Sequence, residues 1–179
     1  NLSTPHPIWT AAGSNSISVQ RATVVSWLLL GVYRTRQRLH TMKKIFSPRC
    51  ILCSDPIEDQ IHFTLFCSTL TDIRQVYFKK FRDANPELKE TSNNPQQFLI
   101  SLLDPFSPKV PEEVRKGWEN TELAYEISRN YFSAIHKKRT RLIEKTEKEN
   151  EKIFEDETEQ TTEIIISIYE KPETTEQVL

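Results

Sequence analysis

Glycine is scarce in this chain, and the three present, Gly13, Gly31 and Gly117, are too far apart to form a Gly-rich loop. Loops that cradle the phosphates of nucleotides need closely spaced glycines, because the backbone must approach the phosphate groups closely. The sequence therefore excludes a loop of that kind. It also lacks adjacent aspartates and a Gly-x-Ser-x-Gly motif. Without the metal-binding pair of a polymerase or the nucleophile of a hydrolase, we expect no enzyme here.

Long apolar stretches are missing as well. The longest, at 24–31, is interrupted by Ser26 and is far shorter than the roughly 18 apolar residues that indicate a membrane span. The chain begins at Asn1 without a recognisable secretory signal, so we expect a fragment of a protein that is not secreted. Its three cysteines are an odd number, which argues against a disulfide framework. We expect an intracellular protein, nuclear or cytoplasmic, with no membrane partner and no small-molecule substrate.

Charge is distributed unevenly along the chain, although the net charge is only −1. Residues 1–80 contain ten Lys or Arg against four Asp or Glu, whereas residues 145–179 contain four against eleven. Residues 81–144 are balanced, with ten of each. A basic first part and an acidic tail indicate that the first part binds a polyanion.

The spacing of apolar residues predicts helices and almost no strands. Steps of three and four residues predict helices at about 18–32, 59–81 and 96–103, and a long amphipathic helix with a basic end from about 123 to 141 or beyond. Residues 83–95 are predicted to form a loop. The Glu- and Lys-rich stretch at 145–160 predicts a solvated helix or no fixed structure. The Ile-rich stretch at 164–169 predicts a β-prone patch that could dock as a strand or stay sticky.

All three cysteines fall in one motif with a histidine: Cys50, two residues, Cys53, eight residues, His62, four residues, Cys67. A turn can direct the first two thiolates to one point, and His62 and Cys67 can reach that point from the start of one helix. Zinc binds four such ligands tetrahedrally, and a closed set of four leaves no position for a substrate water. We predict a structural zinc site. The alternatives are ordinary buried thiols beside a core histidine, or a redox Cys-x-x-Cys, which would leave His62 and Cys67 unexplained.

Several further blocks accompany this motif: HPIWTAAG at 6–13, SVQRATVVSWLLLGVYRTRQRLH at 18–40, CILC at 50–53, EDQIHFTLFC at 58–67, FLISLLDP at 98–105 and the predicted helix at 131–141. Together they resemble the zinc-binding C-terminal region of reverse transcriptases from non-LTR, LINE-like retrotransposons. The resemblance covers residues 5–143 and leaves the acidic tail outside. It implies a Cys-Cys-His-Cys zinc site, a parent enzyme that copies RNA into DNA at a nicked chromosomal target, and a region that helps hold nucleic acid beside the remainder of the polyprotein.

The first functional hypothesis is binding of RNA or DNA by the basic segment, defined as residues 33–49, which contains no acidic residue. Its six cations are candidates for phosphate contacts, and two aromatic residues are candidates for base stacking. The cations are Arg34, Arg36, Arg38, Lys43, Lys44 and Arg49, and the aromatic residues are Tyr33 and Phe46. The alternative is a solvated basic face that balances the acidic tail.

Two other functions stay open. A helical module stapled by zinc could bind protein through Trp9, Trp27 and the stretch at 164–169, although such tryptophans more often fill a core. The chain could also be a transposon-derived fragment with no selected function. In each case the sequence predicts a mostly α-helical fold: a small helical domain with a structural zinc knuckle and a flexible or helical acidic C-terminal tail.

The predicted organisation has four parts. They are an irregular entry segment at 1–17, a basic helix with the Cys-Cys-His-Cys zinc-binding module at 18–82, accessory helices packed on it at 83–143, and a charged acidic tail at 144–179.

Overall fold

The structure, a computed structural model, describes residues 5–88 and 94–169, with side chains described as far as residue 149. Within these ranges the chain is mostly helical and contains no strand, which confirms the predicted fold class. The α-helices are α1 (Pro7–Thr10), α2 (Ser16–Leu29), α3 (Arg36–Thr41), α4 (Thr71–Ala84), α5 (Pro95–Leu103), α6 (Glu112–Lys116) and α7 (Thr121–Tyr169).

Two compact units divide the chain, Asn1–Arg141 and Leu142–Leu179. The first contains the predicted metal ligands and the basic segment. The finer division of its residues into 1–17, 18–82 and 83–143 stays a prediction. No helix in the described part of the chain is both long enough and apolar enough to cross a membrane.

The second unit is helical where the structure describes it, because α7 continues to Tyr169. Its first turns are held by local contacts: the Thr146 hydroxyl donates to the Leu142 carbonyl at 3.0 Å, and Lys145 pairs with Glu149 at 3.6 Å. Of the two alternatives for 164–169, docking as a strand is wrong, since that stretch belongs to α7. Its side chains lie outside the described residues.

The N-terminal segment has more regular structure than its Pro and Gly content predicted. Helix α1 begins at Pro7, and the His6 ring accepts the N–H of Ile8 at 3.2 Å, with Ile8 fully buried. Helix α2 begins two residues earlier than predicted because the side-chain oxygen of Asn15 caps it. Gly31, with φ +66°, follows the end of α2 in the left-handed conformation that glycine favours.

An aromatic cluster around Tyr131 of α7 forms the centre of the core of the first unit. Tyr131 is fully buried, and the rings of Tyr77, Phe78 and Phe81 from α4 lie 5.6, 5.7 and 5.9 Å from its ring. Its hydroxyl donates to the carbonyl of Thr64. These contacts hold α7 against α4 and against the segment His62–Phe66, which contains both Thr64 and the predicted ligand His62.

Candidate metal centre

The four predicted metal ligands converge on one point. The ligand atoms of Cys50, Cys53, His62 and Cys67 all lie within 4.8 Å of one another. The Cys50 and Cys67 sulfurs are 4.0 Å apart, and the Cys53 sulfur is 3.3 Å from Nε2 of His62. Cys50 and Cys67 are fully buried, His62 is 9% exposed, and Cys53 is half-buried. This cluster could hold one metal ion with four protein ligands.

A tight turn places the first two cysteines. The Cys50 N–H donates to the Asp55 carbonyl, and the Ser54 N–H donates back to the Cys50 carbonyl, both at 2.9 Å. Ser54 takes φ +66°, an uncommon conformation for a residue with a side chain. The Arg49 guanidinium donates to the Ser54 carbonyl at 2.8 Å and so closes the same turn. As predicted from the two-residue gap, the turn presents both sulfurs on one side.

A π-helical turn at His62–Phe66 places the other two ligands. The Cys67 N–H donates to the His62 carbonyl at 2.7 Å, an i to i−5 hydrogen bond. In an α-helix residues five apart would point about 140° away from each other, because each residue turns the helix by about 100°. The wider turn brings both side chains to one face. The single helix predicted from Asp59 to Phe81 is therefore interrupted, with a 3₁₀ turn at Ser68–Leu70 before α4.

Two aspartates contact the candidate ligands. Asp59 accepts the His62 N–H at 2.6 Å and so caps the start of the turn. One carboxylate oxygen of Asp55 contacts two of the ligands: it accepts the thiol of Cys53 at 3.3 Å and lies 3.5 Å from Nδ1 of His62. Carboxylates that contact metal ligands in this way hold them in position. The spacing of the four ligands gave no sign of this role for Asp55.

The thiols of the cluster differ in acidity. The hydrogen bond from Cys67 lowers the pKa of Cys50 to about 4, whereas the same contact and burial raise the pKa of the Cys67 thiol. Burial also raises the pKa of Cys53. One thiolate therefore forms readily, while burial and the hydrogen bond between Cys50 and Cys67 make the other two thiols resist ionisation. A metal ion at the centre favours the thiolate form of all three, because metal ligands must be deprotonated.

Arg74 of α4 lies next to the cluster and binds the backbone of one of its residues. It is 6% exposed, and its guanidinium donates to the carbonyl of Cys67 and, at 2.9 Å, to the hydroxyl of Thr71. Burial lowers its pKa, and the nearby sulfurs of Cys67 and Cys53 counteract this. Arg74 thus fixes the backbone of one ligand and supplies positive charge beside the thiolates. No sequence pattern identified it.

Replacing Asp55 by Asn should weaken metal affinity by about 10- to 100-fold, the usual effect of losing a side chain that positions metal ligands. The amide keeps the size of the side chain but removes the charge next to Cys53 and His62. Competition with a chromophoric chelator measures the affinity. Asp83→Asn, which changes an exposed carboxylate paired with Lys79, serves as the control and should leave the affinity unchanged. Equal affinities for the two variants would contradict this role of Asp55.

The basic segment surrounds α3, and most of its cations face solvent. Arg34, Arg38, Lys43, Lys44 and Arg49 are exposed, and Arg36 is half-buried. Arg38 donates to the Gly31 carbonyl at 2.8 Å and Arg36 to the Ser47 carbonyl at 3.5 Å, so backbone oxygens position these guanidiniums without neutralising them. Among the described residues, no acidic side chain forms a salt bridge with any of the six.

The two aromatic residues of the basic segment that were candidates for base stacking differ in exposure. Phe46 is fully exposed. Tyr33 is 3% exposed, its ring stacks on Phe63 at 4.7 Å, and its hydroxyl lies 2.8 Å from Nδ1 of His136. The prediction that Tyr33 is available for base stacking is therefore wrong. Its neighbours in sequence are basic and exposed, but its own ring is part of the core.

A buried ion pair that the sequence did not reveal connects α7 to the segment at 48–58, which contains Cys50 and Cys53 and is called the metal-binding loop. Glu58 is 1% exposed and accepts a hydrogen bond from Nε of Arg139 at 2.5 Å. The second carboxylate oxygen of Glu58 accepts the Arg36 N–H at 3.3 Å, and its backbone carbonyl accepts the Gln37 N–H at 3.1 Å. Because the Glu58 N–H also donates to the Pro48 carbonyl at 2.9 Å, this one residue connects the loop, α3 and α7.

Comparison with known proteins does not assign the chain to a family. No protein-family model, curated protein or solved structure matches the chain. The resemblance to retrotransposon reverse transcriptases over residues 5–143 therefore stays a prediction from the residues themselves.

Proposed function

We propose that this chain is a zinc-stabilised module that binds nucleic acid and carries out no catalysis. The observation that supports the proposal best is the convergence of Cys50, Cys53, His62 and Cys67 next to a segment with six unneutralised cations. In this proposal the metal fixes the loop and the π-helical turn, and the loop in turn fixes the basic segment. Residues 33–49 then contact phosphates.

The spacing of the ligand atoms suits zinc. With Zn–S about 2.3 Å and Zn–N about 2.0 Å, tetrahedral ligands lie roughly 3.8 Å apart for two sulfurs and about 3.5 Å for sulfur and nitrogen. The corresponding separations here are 4.0 Å for Cys50 and Cys67, and 3.3 Å for Cys53 and His62. Three thiolates and one imidazole are also the donors that zinc prefers over hard cations such as magnesium. Four protein ligands fill the coordination shell, which favours a structural role.

Glu58 provides the physical connection between the metal and the nucleic-acid surface. Its N–H is bonded to Pro48 at the start of the loop, and its carbonyl and carboxylate receive the N–H groups of the first two residues of α3. If the metal is lost, the loop becomes free to move and the contacts of Glu58 with α3 are lost. We therefore expect nucleic-acid affinity to depend on zinc even though zinc contacts no phosphate.

Reversing the charge of Arg34, Lys43 and Lys44 to Glu should reduce affinity for a single-stranded RNA by at least tenfold. Three lost phosphate contacts should also reduce the slope of log affinity against log salt by about 2, since each contact contributes about 0.7 for a single strand. These side chains are exposed, and no hydrogen bond within the described residues holds them, so the fold should survive. Fluorescence anisotropy at several salt concentrations measures both quantities.

The matched control reverses three exposed cations outside the segment, Lys80, Lys109 and Arg141, to Glu. Both triple variants change the net charge equally, so only a local surface distinguishes them. We expect the control to retain nearly all of its affinity. Equal losses in the two variants would indicate attraction by overall charge, and absence of RNA binding by the unmodified chain at low salt would refute the proposal.

The resemblance to the C-terminal region of a LINE-like reverse transcriptase extends the proposal to a parent protein. We propose that residues 5–143 hold template RNA or target DNA beside a polymerase supplied by the remainder of that protein.

A second candidate function, binding of protein, is favoured by Trp9 and Trp27, which are 38% and 42% exposed instead of filling the core. The charge-reversal variant discriminates between them, because it should weaken RNA binding at least tenfold and spare a hydrophobic protein contact.

A further inference from the structure

A cavity of about 640 Å³ lies between the end of α2, residues 32–34 and α7. Its walls include Trp27, Tyr33, Arg34, His136, Arg139 and Thr140. The volume is within the range of about 300 to 1,000 Å³ that is usual for small-ligand sites. None of the four predicted metal ligands lines it in the described part of the chain, so it is distinct from the metal centre.

The charge of the cavity favours an anionic group. Its described lining includes two guanidiniums and no carboxylate. Arg139 is compensated by Glu58 at 2.5 Å, which leaves the exposed guanidinium of Arg34 as the uncompensated charge at the cavity. A neighbouring cavity of about 380 Å³ also contains an arginine, Arg38, but Asp59 lines it as well, so it suits an anion less.

Trp27 provides an accessible aromatic wall. Its indole meets the imidazole of His136 nearly at right angles, at 76° and 6.2 Å between ring centres, so the two rings do not form a parallel stack. Trp27 is 42% exposed. A planar group that enters the cavity can therefore stack on the indole, and stacking of bases on aromatic side chains tolerates any base identity.

The remaining polar groups can bind the edge of a planar ligand. Burial raises the pKa of Tyr33 to about 12, so its hydroxyl stays protonated, and it shares a hydrogen bond of 2.8 Å with Nδ1 of His136. Burial, followed by the charges of Arg139 and Lys137, lowers the pKa of His136. In the neutral tautomer that accepts the Tyr33 proton at Nδ1, the imidazole carries its own proton on Nε2, which is then a hydrogen-bond donor. The hydroxyl of Thr140 lies in the same lining.

We infer that this cavity binds one unpaired nucleotide of a single-stranded nucleic acid, with the base on Trp27 and a neighbouring phosphate at Arg34. The inference rests on the proposed function, because Arg34 belongs to both the cavity and the basic segment. It assigns base stacking to Trp27 of α2, in place of the buried Tyr33. A duplex has no free base to insert, so the cavity distinguishes single strands from double strands.

The test compares Trp27→Leu with Trp9→Leu, since Trp9 is a similarly exposed tryptophan outside the cavity. Binding of a 12-nucleotide oligouridylate, the corresponding oligothymidylate and a strand of the same length without bases is followed by anisotropy. We expect Trp27→Leu to weaken binding of both base-containing strands on the order of tenfold, the effect of one lost stacking contact. Trp27→Phe should recover most of the loss, and Trp9→Leu should match the unmodified chain.

The outcomes separate base binding in the cavity from phosphate binding by the basic segment. If the base-containing strands bind Trp27→Leu and Trp9→Leu equally well, or the strand without bases binds the unmodified chain as tightly as they do, the cavity proposal is wrong and the proposed function stands. If the unmodified chain binds none of the strands at low salt, both are wrong. Should Trp27→Leu fail to fold, oligouridylate is added to Trp9→Phe/Trp118→Phe, which keeps Trp27 as its fluorophore, and absence of quenching overturns the inference.

Discussion

Replacing Cys67 by Ser is expected to abolish stoichiometric zinc binding and to lower the free energy of unfolding by several kcal/mol. Cys67 is fully buried and closes the π-helical turn that begins at His62. Zinc at a site of this kind contributes on the order of 10 kcal/mol, comparable with the whole net stability of a small domain, which is about 5 to 15 kcal/mol. Cys53→Ser should act in the same direction. Metal analysis should give one equivalent of zinc for the unmodified chain and less for either variant.

Thermal unfolding with and without a chelator tests the same prediction in the unmodified chain. The matched control for a ligand change is His40→Ala, because His40 is an exposed histidine outside the cluster. His62→Ala should lose the metal and unfold at a markedly lower temperature, whereas His40→Ala should behave like the parent. A melting curve that is the same with and without chelator would show that no metal stabilises this fold.

The ligands of the candidate metal site could be predicted from sequence because their spacing is a local property. The turn at Cys50 and Cys53 needs only a two-residue gap, and Asp59 marks the start of the following helical segment. The π-helical turn could not be predicted in the same way. Apolar periodicity fits an α-helix from Asp59 to Phe81, and the i to i−5 bond at Cys67 becomes visible only in three dimensions.

Long-range packing decided the residues that the sequence assigned wrongly or missed. Tyr33 follows the exposed Val32 and precedes the exposed Arg34, but Phe63 and His136 enclose its ring. Glu58 and Arg139 are 81 residues apart, and each alone is an ordinary charged residue in a charged chain. Since local patterns report on neighbours along a helix or a turn, neither contact had a sequence signal.

The stretch at 164–169 shows the limit of intrinsic preference. Consecutive isoleucines favour a strand in isolation, but β-propensity depends strongly on the context of the residue. Here the preceding helix continues through the stretch to Tyr169. For 145–160 the sequence left open a helix or no fixed structure, and the structure has a helix there.

Glu58→Ala is expected to destabilise the first unit by about 3 to 5 kcal/mol, because it leaves the Arg139 guanidinium buried without its counter-charge. Arg139 is 7% exposed, and its guanidinium lies over the rings of Tyr33 and Phe63 at 5.6 and 5.5 Å, so little of it is hydrated. The N–H of Arg36 would lose its carboxylate partner as well. Denaturant unfolding of the zinc-loaded chain measures the change.

The matched control is Asp72→Ala, since Asp72 also pairs with a cation of α7, Lys138, but is 67% exposed. Exposed pairs contribute about 0 to 1 kcal/mol, so the two alanine variants should differ by several kcal/mol although each removes one carboxylate opposite α7. Glu58→Leu/Arg139→Met should recover part of the stability lost in Glu58→Ala, because removing both charges leaves none unpaired. If Glu58→Ala costs no more than Asp72→Ala, the buried pair does not join the metal-binding loop to α7. Zinc and the backbone hydrogen bonds of residue 58 would then have to hold the basic segment in place.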